Sequence, residues 1–102
     1  MTETFRLTLA QLDPRGGDVA GNAAKARAAW VAGREAGAHL VALPEMFLAG
    51  YQPQDLVLKP AFLAACAAQI EALAEACADG PALGIGAPIA DPGGVANAWF
   101  VL

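Results

Sequence analysis

His39-Leu40-Val41-Ala42-Leu43-Pro44 is a short, unbroken apolar run closed by a proline. It lacks the apolar–polar alternation of a strand with one wet face, which suits a strand covered on both faces, as in a parallel sheet. Pro44 has no N–H to give the ladder, so the strand should stop there. Upstream, Phe5-Arg6-Leu7-Thr8-Leu9-Ala10-Gln11-Leu12 does alternate. Phe5, Leu7 and Leu9 point one way and Arg6 and Thr8 the other, the period of a half-buried strand. Asp13-Pro14-Arg15-Gly16-Gly17-Asp18 breaks that strand with turn residues. The Asp18 carboxylate is placed to cap an alanine-rich helix over roughly 19–36, which Gly37 should end. Strand, helix and strand in this order make a βαβ unit.

Residues 45–58 read as a long loop containing Gly50, Pro53 and the polar Gln52, Gln54 and Asp55. Loops of that length in a small domain are often functional. A second helix should start near Lys59-Pro60, where proline does little harm, and end before Gly80-Pro81. Its apolar stripe is Phe62, Cys66, Ile70, Leu73 and Cys77, with Glu71 and Glu75 off it. A short strand near Leu83–Ala87, a turn at Asp91-Pro92-Gly93-Gly94 and a strand from Ala96 onward complete an α/β chain of order βαβαββ.

The composition narrows the function classes. The chain has 102 residues, 57% hydrophobic and only 16% charged, which excludes a disordered tail. Two cysteines do not make a disulfide scaffold. No apolar run approaches the roughly 18 residues of a membrane span, so no membrane partner is expected. Arg6, Arg15, Lys25, Arg27, Arg34 and Lys59 are scattered, and the net charge is −4. No basic stripe is available to neutralise phosphates, so nucleic acid is not an expected partner. Met1–Arg6 lacks the charged flank and apolar block of a signal peptide, so a cytoplasmic setting is expected. Charged residues usually make up about a quarter of a globular chain, and a small domain should be more polar still. Together with the apolar run Ala98-Trp99-Phe100-Val101-Leu102 at the end, this leads us to expect a piece of a larger protein.

Few residues can carry chemistry. Cys66 and Cys77 are about 20° apart around a helix and roughly 16 Å apart along it. A disulfide needs α-carbons within about 7 Å, so both read as small core residues. A reactive thiol would want an electropositive, partly exposed position. His39 is the single histidine and has no partners at metal-ligand spacing. Gly84-Ile85-Gly86 lacks the third glycine and the following helix of a phosphate loop. Glu45 differs from all of these. It is a carboxylate inside the apolar run Leu43-Pro44-Glu45-Met46-Phe47-Leu48, directly after a parallel strand. The carboxyl ends of such strands are where ligands bind in open α/β folds. Apolar surroundings raise a carboxyl pKa, which suits a general base near neutral pH. On position alone, a loop glutamate bonded to backbone amides or paired with a basic residue is equally open.

The stretch Leu43-Pro44-Glu45-Met46-Phe47-Leu48-Ala49-Gly50-Tyr51 resembles the first catalytic motif of the nitrilase, or carbon–nitrogen hydrolase, superfamily. Ala10-Gln11-Leu12-Asp13-Pro14 with Gly17-Asp18 and Gly21-Asn22 resembles its first strand and helix start. Gly86-Ala87-Pro88 and Asn97-Ala98 resemble its next two strands, so the likeness is colinear over nearly the whole chain. Within the superfamily, Tyr51-Gln52-Pro53-Gln54-Asp55-Leu56 is similar to the loop after the catalytic glutamate in glutaminase domains of glutamine-dependent NAD+ synthetases. That family commonly reads Tyr-Pro-Pro-Glu-Asp-Leu there. Gln52 and Gln54 depart from it, as does Met46, where leucine is usual.

The resemblance implies a partial nitrilase-type α/β/β/α sandwich and a Glu–Lys–Cys triad. Glu45 would be the base that activates the cysteine, and Tyr51 would line the glutamine-side cleft. The family's lysine and cysteine follow the strand on which this chain ends, so Lys59, Cys66 and Cys77 are not triad members. The chain would then be the N-terminal fragment of a glutaminase domain, inactive alone. It would need no cofactor of its own, whereas ATP and Mg2+ are implied for a separate synthetase domain. Implied partners are glutamine and, through that domain, deamido-NAD+, in a homo-oligomer. A stand-alone amidase or carbamoylase, and a non-catalytic βαβ binding or assembly module, are the competing expectations. One sheet face should be bare in the fragment.

Overall fold

The computed structural model describes residues 4–51 and 53–102, so Gln52 and the first three residues lie outside the described residues. Among these residues the order is β1 (Leu7–Leu9), α1 (Val19–Glu35), β2 (Leu40–Ala42), a 3₁₀ helix (Gln54–Leu58), α2 (Pro60–Ala76), β3 (Ala82–Asp91) and β4 (Gly94–Val101). The strands form one sheet in the order β1-β2-β3-β4. The first three are parallel, with Thr8 opposite Val41 and Val41 opposite Leu83. β4 returns antiparallel along β3, from Asp91 opposite Gly94 to Gly84 opposite Val101.

Local chemistry accounts for the element ends. The Asp18 carboxylate accepts a hydrogen bond from the Gly21 amide at 3.0 Å, which caps α1 as the sequence predicts. Gly37 takes φ +80° just past its end. Pro60 opens α2 at a position with no intrahelical N–H bond to lose. The hairpin turns at Pro92-Gly93, and the Gly93 amide donates to the Asp91 carboxylate at 3.2 Å.

The core lies between the sheet and both helices. Ala23, Ala26 and Trp30 of α1 and Cys66 and Leu73 of α2 meet Val41, Leu83, Ile85 and Ala87 of the sheet. Trp30 is buried, and its indole N–H donates to the Pro81 carbonyl at 2.8 Å. Apart from the turn that crosses Gly86, the opposite face of the sheet is uncovered. Leu7, Leu9, Trp99 and Val101 are exposed there, Leu9 at 73%.

That asymmetry corrects two readings. β2 is not covered on both faces: Val41 is fully buried, but Leu40 and Ala42 are only half-buried. β1 does alternate, yet its apolar side, Phe5, Leu7 and Leu9, is the exposed one, and Thr8 faces the helices. The hairpin boundaries also differ. β3 runs past Ala87 to Asp91, and β4 starts at Gly94 rather than Ala96, because the tight turn sets a register that pairs Pro88, Ile89, Ala90 and Asp91 as well. α2 ends at Ala76, before Gly80-Pro81 as expected, with Cys77 at its cap.

Candidate active site

Glu45 stands where the sequence places it, just beyond the carboxyl end of β2. Its surroundings differ from the expectation. The side chain is exposed, because the chain turns at 45–49 and sends the neighbouring apolar groups inward. Leu43 is 3% exposed, and Phe47, Leu48 and Ala49 are fully buried. Neighbours in sequence are therefore not the neighbours of the carboxylate. Glu45 accepts a 2.6 Å hydrogen bond from the side-chain amide of Asn97 on β4.

The backbone carrying Glu45 is fastened on both sides. The Leu43 amide donates to the Gly84 carbonyl at 2.8 Å, and the Leu48 amide to the Gly86 carbonyl at 3.0 Å. Between these bonds the chain crosses β3 at Gly86. A β-carbon at Gly86 would stand 2.7 Å from the Pro44 carbonyl oxygen and 2.8 Å from the Glu45 α-carbon, so a side chain there would push the glutamate away. Met46 adopts φ 53°, the left-handed region that side chains usually avoid. The turn closes with the Gly50 amide bonded to the Met46 carbonyl at 2.9 Å. Gly50 itself has φ +83°, against the Arg15 backbone.

Two further side chains complete the frame. Asn22 is fully buried and spends all of its bonds on loop backbone. Its oxygen accepts from the Arg15 amide at 2.7 Å, and its nitrogen donates to the Arg15 carbonyl at 2.8 Å and the Leu48 carbonyl at 3.1 Å. Trp99 lies over Gly84 and donates its indole N–H to the Leu43 carbonyl at 2.9 Å.

Tyr51, the other predicted site residue, follows Gly50 in a bend and is 63% exposed. Lys59 is exposed at the junction of the 3₁₀ helix and α2. Cys66 and Cys77 are buried free thiols. Burial pushes the Cys66 thiol up to about 11. Cys77 is also raised by burial, with Arg27 and Arg34 opposing. Both environments disfavour the thiolate a nucleophile needs. His39 Nδ1 accepts from the Arg6 amide at 2.9 Å, so its visible role is to tie β1 to β2. Among the described residues, no three His, Cys, Asp or Glu side chains are grouped to hold a metal ion. A groove of about 510 Å³ between α2 and the hairpin is lined by Leu63, Ile70, Pro88, Ile89 and Phe100, and Glu45 is not among its walls.

Asn97, Trp99 and Asn22 are the residues that local reading missed as parts of this frame. Alternation along β4 puts Asn97 and Trp99 on one face, but nothing local points to partners more than fifty residues away.

Known proteins share this fold. The chain is 66% identical over 102 residues to the glutamine-dependent NAD(+) synthetase of Rhodobacter capsulatus, covering 100% of this chain and 18% of that protein. It is 46% identical over 77 residues to the enzyme of the same name from Xylella fastidiosa, covering 74% of this chain and 14% of that one. The chain thus spans under a fifth of the curated relatives it matches. The fold superimposes on a glutamine-dependent NAD(+) synthetase from Cytophaga hutchinsonii with a TM-score of 0.90 at 22% identity, over 98% of this chain and 17% of that one. It superimposes on an amidase from Nesterenkonia sp. with a TM-score of 0.74 at 24% identity, over 96% of this chain and 40% of that one. The sheet and two helices are thus part of a fold shared by synthetases and amidases. Residues 6–97 match the carbon–nitrogen hydrolase family, and the chain belongs to it.

Proposed function

We propose that this chain is the first part of a glutamine-hydrolysing domain, and that Glu45 is its general base. The observation that carries the reading is the Glu45 carboxylate, exposed at the end of a parallel strand and held there by Asn97. The 66% identity to the Rhodobacter capsulatus enzyme supports glutamine as the substrate over other amides.

The chemistry follows that of an activated thiol. Glu45 takes the proton of a cysteine supplied by another part of the domain. The thiolate attacks the side-chain amide carbon of glutamine, and a lysine, also from elsewhere in the domain, stabilises the oxyanion. The proton passes to the leaving nitrogen, ammonia departs, and water attacking the thioester releases glutamate. Tyr51 lines the glutamine side of the cleft. The ammonia feeds ATP-dependent amidation of deamido-NAD+ in a separate domain. The described residues do not fit ATP or Mg2+. The described residues hold no metal-binding cluster, and Gly84 and Gly86 lie in a strand beneath Trp99 and the Glu45 turn.

The test is ammonia release from glutamine by the full-length protein. Glu45→Ala should lower kcat at least about 100-fold, in the range of general-base removal. Tyr51→Ala should act mainly on KM. Residues 1–102 alone should release no ammonia above background. Full turnover by Glu45→Ala would overturn the role of Glu45. Turnover by residues 1–102 that Glu45→Ala abolishes would overturn the dependence on the rest of the domain.

A further inference from the structure

Glu45 is an exposed side chain with several rotatable bonds, and holding it in one pose has an entropic cost. Its bond to Asn97 is 2.6 Å long, shorter than the usual 2.9–3.0 Å of N–H···O bonds. Among the described residues the bond engages Oε1 alone, which leaves Oε2 to take a proton. Water competes for bonds between exposed groups, so this one adds little to stability. What it supplies is direction.

The donor belongs to a built arrangement. Asn97 and Trp99 alternate along β4 and so project from the same face. That is the face where the Glu45 turn crosses Gly86. Trp99 donates to the Leu43 carbonyl and Asn97 to the Glu45 carboxylate, one on either side of Pro44. One fixes the backbone entering the turn, and the other fixes the carboxylate leaving it. We infer that Asn97 is a positioning residue that sets the orientation of the Glu45 carboxylate for proton transfer, working from a strand that contributes no reacting group.

This inference rests on the reading of Glu45 as the base, and the test separates the two. Glutamine hydrolysis by the full-length protein is measured for Asn97→Leu, which keeps the branched shape and removes the donor, in the native background and with Glu45→Asp. Losing one methylene should draw the carboxylate back out of reach of the amide. In the native background, Asn97→Leu should lower kcat/KM about 10- to 100-fold, the scale of a misplaced catalytic group. In the Glu45→Asp background the same substitution should lower the residual rate less than about twofold, since the two groups no longer meet. Equal losses in both backgrounds would show a merely structural role and overturn the inference. So would an undiminished rate in the native background. If Asn97→Leu does not fold, Asn97→Ser runs the same comparison with the same two outcomes. Full activity of Glu45→Ala would instead remove the base assignment itself.

Discussion

Asn22 makes three hydrogen bonds to backbone atoms of two loops, and none of its surface reaches water. Asn22→Leu would strand the Arg15 amide and the Arg15 and Leu48 carbonyls. Each buried unpaired group costs about 1–3 kcal/mol, with some relief from entering water. We therefore expect a loss of roughly 2–4 kcal/mol in chemical denaturation of the full-length protein. Gly86→Ala should act differently. Its β-carbon would meet the Pro44 carbonyl oxygen and the Glu45 α-carbon, so glutamine turnover should fall about 100-fold through displacement of the carboxylate. Full turnover by the Gly86→Ala variant would show that the turn tolerates the shift. The place of Glu45 was legible in the sequence, because an apolar run closed by Pro44 marks the parallel strand that it directly follows. Its exposure was not, because side chains that are consecutive in a tight turn point in different directions. The same limit hid Asn97: alternation along a strand tells which face a side chain takes but not what lies across the sheet.

The elements were largely legible, for reasons that differ between them. α1 is marked at both ends, by the Asp18 cap and by Gly37, and it forms between them. β3 was read too short because its length is set by the turn that pairs it with β4 rather than by its own composition. Which side of β1 is wet was not legible, since an apolar stripe looks alike whether covered or bare. α2 carries a testable titration. The Cys66 thiol is raised by burial from its ordinary value of 9.0 to about 11. The folded state then keeps its proton where the unfolded chain has lost it. The stability this contributes is fully present below pH 9.0 and is lost as pH rises to about 11. The melting temperature of the full-length protein should fall more steeply over that interval than that of its Cys66→Ala variant. Parallel slopes would show that another group governs the alkaline limb. In β4, Trp99→Phe keeps the ring over Gly84 and removes the bond to Leu43. It should cost about 1 kcal/mol and lower turnover, through the shared turn.

At the scale of the whole molecule, one sheet face packs on two helices and the other shows Leu7, Leu9, Trp99 and Val101 to solvent. A large exposed apolar patch on a chain this small drives association. We expect residues 1–102, expressed alone, to sediment as oligomers or aggregates, and Leu9→Lys to shift them toward monomer. A monomeric, cooperatively melting chain in ultracentrifugation and calorimetry would contradict this. The low share of charged residues, noted from composition, fits this bare face. The two bonds that hold the Glu45 turn from β4 span 52 and 56 residues of chain. Contacts of such separation form late, since long loops must close before they are rewarded. During synthesis the Glu45 turn emerges well before Asn97 and Trp99 do. A nascent chain would carry its glutamate untethered until the hairpin had left the ribosome. The order of translation thereby becomes an order of assembly, in which the carboxylate gains its orientation only after both helices have been made.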